Sequence, residues 1–333
     1  MHQLINKMGD QKGSSDEILH NLFTLMKIYK DGRVERLSGT DVVPAGLDAE
    51  TGVLSKDVVI SPEPKLSARL YLPPKISAGR KLPLLLYFHG GAFVVESAFS
   101  PTYMKPLNLL AAEANVLIVS VDFRLAPEHP LPAAYDDGWT ALKWAASHAA
   151  GDGGEEWLNE YADFDRVFLG GDSVGANISH NMALRVGSSE NNNNSVDGVK
   201  INGLFFNCPF FWGAERIGDE GDIPIFVSFF DTICRVALPE PAGLDDPRIN
   251  PSKDPELAKL GCKRIIIFVP EKDPLKHRGW LYKEALVSSG WRGAAQVVEV
   301  KGEHHIFNLN NPTCDNAMAM LKKLATFFHD HNP

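Results

Sequence analysis

Apolar residues fill almost every position of 82–88 (LPLLLYF), 116–121 (VLIVSV) and 265–269 (IIIFV), and most positions of 167–169 and 201–206. Continuous rather than alternating apolarity predicts strands covered on both faces, as in a parallel sheet. Between these runs the apolar spacing changes to three or four residues. That spacing predicts helices near 102–114, 134–149, 174–186, 278–289 and 315–330. Strand and helix alternate, so the pattern reads as an α/β fold: a mostly parallel sheet flanked by helices. The first part of the chain is different. Residues 18–29 (ILHNLFTLMKIY) have a helical rhythm, whereas 34–37, 55–60 and 66–72 read as extended. The last of these, LSARLYL, alternates, which predicts an antiparallel strand with one wetter face.

Two polar stretches, 151–156 (GDGGEE) and 188–195 (SSENNNNS), read as exposed loops. Residues 209–250 hold PFFWG and IPIFVSFFDTICRVALP, an aromatic-rich interval between two expected core strands. We read it as a helical insertion over the carboxyl ends of the strands, where such sheets bind ligands. The expectation is one domain over 1–333, with a small helical cap formed by about 1–30 and about 209–250.

Composition narrows this picture. A chain of 333 residues fits one large α/β domain. Lys and Arg number 33 against 42 Asp and Glu, a net charge of -9, and no basic stripe is present, which argues against nucleic-acid partners. No apolar run approaches the roughly 18 residues of a membrane span. The first residues lack the apolar core of a secretory signal. Cys208, Cys234, Cys262 and Cys314 are widely spaced, as in a reduced protein. A cytoplasmic location is therefore expected, and the sequon at Asn193 then carries no weight.

Candidate chemistry centres on GGDSVGANISHN, residues 170–181. Gly171, Ser173 and Gly175 fit G-x-S-x-G between an expected strand and an expected helix. That turn lifts a serine hydroxyl to the sheet edge and points helix-start amides at the same place. A nucleophile needs a base and an orienting acid. Asp273 follows strand 265–269, with Glu271 as the rival acid. His304 and His305 follow strand 295–300, and spacing does not separate them. HGGAF, residues 89–93, follows strand 82–88, so the amides of Gly90 and Gly91 are expected to form an oxyanion hole with that of Val174. Within DFRLAPEHPLPAAYDDGW, residues 122–139, we expect Asp122, Arg124, Glu128 and His129 to form a buried ionic network behind that loop. Ala92, Phe211, Trp212, Phe226 and Phe230 are candidates for an apolar substrate pocket, although cap packing explains each aromatic equally well. GxGxxG, GxxxxGK[ST] and HExxH are absent, so no cofactor and no metal are expected.

HGGAF, DFRLAPEHPLPAAYDDGW, GDSVGANISHNMALR, EKDPL and GEHHIF together resemble the plant carboxylesterase family, the hormone-sensitive-lipase-like branch of the α/β-hydrolases. IYKDGRVERL and NCPFFWG extend the likeness over most of the chain. The resemblance implies an α/β-hydrolase fold, a Ser173–His305–Asp273 triad and a small-molecule substrate, an apolar ester or aromatic metabolite of specialised metabolism. The family's G-x-x-H-x-F ending fits Gly302, His305 and Phe307, and so selects His305. Two positions depart from the usual family sequence. Ala92 stands where a third glycine is common, and Val174 where Ala or Ser is common; a branched Val174 is expected to narrow the pocket. The family also contains 2-hydroxyisoflavanone dehydratases, which share HGGAF but typically carry threonine at the nucleophile position. Related gibberellin receptors lack the histidine. Carboxylesterase is the leading expectation, a lyase or cyclase the second, and a receptor without turnover the third.

Overall fold

The computed structural model describes residues 17–76, 79–188, 195–239 and 241–330. The Asn193 sequon and the first 16 residues of the expected cap lie outside them.

The strands are β1 Ile18–Asn21, β2 Met26–Tyr29, β3 Val34–Arg36, β4 Leu54–Pro62, β5 Lys65–Leu72, β6 Leu82–Phe88, β7 Leu117–Asp122, β8 Ala162–Asp172, β9 Ser195–Val196, β10 Val199–Asn207, β11 Arg264–Pro270 and β12 Ala294–Val300. The helices are α1 Pro101–Ala114, α2 Ala133–Ala146, α3 Glu156–Tyr161, α4 Val174–Gly187, α5 Pro224–Ala237, α6 Lys276–Ser289, α7 Phe307–Asn310 and α8 Asp315–His329. The large sheet runs β12-β11-β10-β8-β6-β7-β5-β4, and β9 adds to β10. From β7 to β12 the path is parallel. β5 is antiparallel to both neighbours. The fold is therefore that of an α/β hydrolase, with a mixed but mainly parallel sheet.

Every residue of β6 is buried, as its unbroken apolarity demands. β5 departs from expectation because both its faces are largely buried. Its buried charged member, Arg69, is tolerated there because it is paired. Nε and Nη2 bond Asp57 at 2.6 and 2.9 Å, and Nη2 also donates to the Val43 carbonyl at 2.8 Å.

The helix expected over 18–29 is not formed. That segment instead supplies β1 and β2 of a separate three-stranded sheet with β3. Phe23 sits at φ 52, and its amide is held by Asn21 Oδ1 at 3.0 Å. This local side-chain bond favours a turn over a helix. Met26 and Ile28 then alternate as buried strand positions, a period the helical reading obscured.

α5 is the helical part of the cap. Phe230, Ile233, Cys234, Val236 and Ala237 form its buried stripe. It is anchored through Asp231, which accepts the Trp212 indole N–H at 2.8 Å and pairs with Arg216. No described helix is long and apolar enough to cross a membrane.

Candidate active site

Four strand ends converge at one edge of the sheet. β8 ends at Asp172, and Ser173 turns the chain into α4 with φ 51 and ψ -116. A non-glycine residue at positive φ is strained, and such strain concentrates at functional sites. The turn is tight enough to need its glycines. A Cβ on Gly171 or on Gly175 would overlap the Phe88 carbonyl oxygen at the end of β6. The Ser173 backbone is fixed on both sides, its amide donating to Asn207 O and its carbonyl accepting from Phe210 N, each at 2.9 Å.

His305 Nδ1 lies 2.7 Å from Asp273 Oδ2. Asp273 is buried, and its other oxygen accepts the Leu275 amide at 2.8 Å. Two opposing effects act on the imidazole. Burial lowers its pKa, but the Asp273 charge and hydrogen bond outweigh burial, so the net shift is upward. Glu271, the rival acid, is instead committed to Lys301 and to the Gly302 amide. His304 is exposed at the cavity rim. Ser173 Oγ makes no hydrogen bond with a described residue. In unliganded sites such contacts are commonly long and tighten when substrate binds.

The loop after β6 corrects the expectation for Gly90. Its amide donates to Tyr103 Oη at 2.7 Å and is therefore occupied. Gly91 and Ala92, not Gly90, line the cavity, and their amides have no partner among the described residues. Gly91, Ala92 and Phe93 all have positive φ (92, 58 and 64), a tight left-handed turn that brings Gly91 and Ala92 to the cavity wall. His89 stacks on Phe123 with centroids 4.1 Å apart, and its Nδ1 bonds the Gly90 carbonyl. Burial lowers its pKa to about 4, so it is neutral and has a packing role.

The expected network of Asp122, Arg124, Glu128 and His129 does not form. Arg124 pairs with the buried Asp137, and Asp122 accepts the Ala98 amide. Glu128 pairs with Arg36, which sequence reading had not singled out. Arg36 also donates to the carbonyls of Val94 and Ala126 at 2.7 and 3.1 Å, so it is the group that clips the loop.

Ser173, Asp172, Gly91, Ala92, His304 and His305 open into one cavity of about 590 Å³, a usual size for a small-molecule site. Ile223, Phe226, Phe229, Phe230 and Ile233 of the cap form its apolar roof, with Leu25 from the β1–β2 turn. Phe211 and Trp212 do not line it. Phe211 stacks on Tyr282 at 4.8 Å, and Trp212 packs on Phe230. The Val174 side chain is fully buried in the core and does not narrow the cavity.

A Cys208 sulfur, an Asp273 oxygen and a His305 nitrogen lie within 4.8 Å of one another, a spacing that suits an ion. The chemistry does not. His305 Nδ1 is already engaged by Asp273, and burial pushes the Cys208 thiol well above its usual pKa, away from the thiolate a metal needs.

Comparison with known proteins agrees with this geometry. A family model described as alpha/beta hydrolase fold matches residues 85–309. The chain is 45% identical to "Probable carboxylesterase 2" of Arabidopsis thaliana, over 96% of this chain and 98% of the relative. The chain belongs to the plant carboxylesterase-type α/β-hydrolase family. Its members include "2-hydroxyisoflavanone dehydratase" of Glycine max, 46% identical over 93% of this chain and 98% of the relative. Among solved structures, an esterase of Pyrobaculum calidifontis is similar with a TM-score of 0.67 and 26% identity, covering 82% of this chain and 84% of that one.

In this plant carboxylesterase-type chain, several site residues escaped sequence reading. Tyr87 and Tyr103 hold the Asp172 carboxylate at 2.7 and 3.1 Å. Burial raises the Asp172 pKa to about 6, and the two hydroxyls pull it partly back. Only Asp172 had a visible signal, its place beside the serine. Tyr87 looked like one more apolar strand residue, and Tyr103 like one more helix residue.

Proposed function

We propose that this enzyme is a serine carboxylesterase acting on small to medium carboxylic esters. His305 Nε2 removes the proton from Ser173 as Oγ attacks the ester carbonyl. Asp273 holds the imidazole by Nδ1 and balances the charge it gains. The amides of Gly91, Ala92 and Val174 take up the charge on the tetrahedral oxygen, and each such donor is worth about 3 kcal/mol. His305 then protonates the leaving alcohol, and water repeats the sequence on the acyl-enzyme.

The observation that carries this reading is the 2.7 Å His305–Asp273 pair opening into the same largely apolar cavity as a serine on a strained strand-to-helix turn. The test is Ser173→Ala assayed on p-nitrophenyl butyrate. Turnover is expected to fall by at least about 10⁴, as triad losses do in serine proteases. Unchanged turnover would exclude covalent catalysis.

A dehydratase reading has one observation in its favour, the 46% identity to a 2-hydroxyisoflavanone dehydratase. There His305 would take a proton α to the ketone, and the same amides would hold the enolate while water leaves the β carbon. Incubation with a 2-hydroxyisoflavanone separates the two readings. Product formation no faster than in buffer removes the second.

A further inference from the structure

Glu96 is a carboxylate-bearing residue of the cavity wall, which also carries Thr102, Asp172, Lys272 and the two histidines, and it follows the oxyanion loop in sequence. Its Oε1 accepts the Thr102 hydroxyl at 3.2 Å. Its Oε2 is buried and meets no hydrogen-bond donor. No described Lys, Arg or His pairs with this carboxylate. Buried polar atoms in proteins almost always have partners, and those that do not call for an explanation.

The backbone holds this residue in place. Glu96 sits at φ 72, uncommon for a residue with a side chain, and its amide is bonded to the Gly39 carbonyl at 3.2 Å. Gly91 lacks a Cβ where the Glu96 Cβ passes; one built there would lie 3.1 Å from it. The Glu96 backbone and Cβ are thereby fixed next to Gly91, one of the residues proposed to receive the carbonyl oxygen. Nothing in the proposed acyl transfer uses the Glu96 carboxylate.

We propose that Glu96 is a recognition group for a hydroxyl on the ester substrate. The substrate class is then a hydroxylated ester, whose apolar part meets the phenylalanine roof and whose hydroxyl donates to the Glu96 carboxylate, with Oε2 turning toward the cavity to accept it. This inference rests on the esterase reading. A site built to accept a hydrogen bond discriminates strongly against the analogue lacking the donor, because its own acceptor stays unpaired.

The test uses two pairs of esters. The acyl pair is p-nitrophenyl 3-hydroxybutyrate and p-nitrophenyl butyrate. The alcohol pair is glycerol monobutyrate and propyl butyrate. In one pair, the kcat/KM ratio of hydroxylated to plain ester is expected to fall roughly ten- to hundredfold from wild type to Glu96→Leu, the range for a hydrogen bond to a charged group. Glu96→Gln keeps an acceptor without the charge and should fall between them. It also carries the test should the leucine variant not fold. A purely structural Glu96 would lower both members of a pair alike. Ratios unchanged within about twofold in both pairs would overturn the proposal. Calorimetric binding of the same intact esters to Ser173→Ala, with and without Glu96→Leu, reads the preference without turnover. Hydroxyl preference in binding without hydrolysis by the wild type would sink the esterase reading and leave the Glu96 assignment standing. Hydrolysis without preference would do the reverse.

Discussion

Tyr103 Oη stands 3.1 Å from Asp172 Oδ2 and accepts the Gly90 amide at 2.7 Å. One hydroxyl thus joins the turn that carries Ser173 to the loop that carries the Gly91 and Ala92 amides. The two halves of the proposed site belong to different strands, β8 and β6, and this hydroxyl fixes one relative to the other.

Tyr103→Phe leaves the Gly90 amide buried without an acceptor, at a cost of about 1–3 kcal/mol. Thermal unfolding should register that loss. Turnover of p-nitrophenyl butyrate should fall further than KM changes, because the amides act most strongly on the transition state. Tyr87→Phe removes the other Asp172 donor but spares Gly90. It should lose stability with a smaller loss of turnover; equal losses in the two variants would break the link to the loop.

The His305–Asp273 pair sets a pH dependence. Only neutral imidazole serves as a base, so kcat/KM should rise with pH through a midpoint above the ordinary 6.5 of histidine. Asp273→Asn removes the main effects that raise this pKa and leaves burial, which lowers it, opposed only by the more weakly acting Asp172 charge. The midpoint should move to lower pH while turnover drops by about 10⁴, as in the corresponding protease variant. A stability effect has its own sign. The raised imidazole pKa stabilises the fold fully below the unfolded value of about 6.5, and that contribution is lost as pH rises through the folded value. A pH–rate profile whose midpoint is the same in both proteins would contradict this assignment.

Arg36 acts from β3, outside the main sheet. Arg36→Met should cost about 1 kcal/mol, a modest value because Glu128 is half exposed and the ion pair is screened. Loss of the two carbonyl contacts should also lower kcat severalfold by loosening the loop. Glu128→Gln keeps those contacts and should retain most of the turnover. Melting curves and kcat for both variants check this; equal kcat losses would assign the effect to the ion pair alone.

The sequence made the centre of the main sheet legible because strands such as β6 and β11 are apolar almost without interruption, a pattern few other elements share. LPLLLYF and IIIFV lie within β6 and β11. Ser173, Asp273 and the His304–His305 pair drew attention for a related reason, each lying past an expected strand, but only the family's G-x-x-H-x-F ending singled out His305. Residues 18–29 misled because Leu22, Met26 and Ile28 suit both periods over so short a run, and the deciding Asn21 bond involves only one side chain. Gly90 misled because a motif gives glycines but not which amide is already bonded. That depended on Tyr103, 13 residues away and unmarked. Arg36 and Glu128 are 92 residues apart, and charge alone does not pair them.

Gly171 and Gly175 let the serine turn rest directly against the carbonyl of Phe88. The distance from nucleophile to oxyanion loop is consequently gauged by main chain against main chain, with no side chain in the gap. Substitutions in the aromatic roof can then reshape the cavity without altering that spacing. A lineage could exchange one ester for another, or one reaction for another, by rebuilding α5 alone while the reactive centre keeps its alignment.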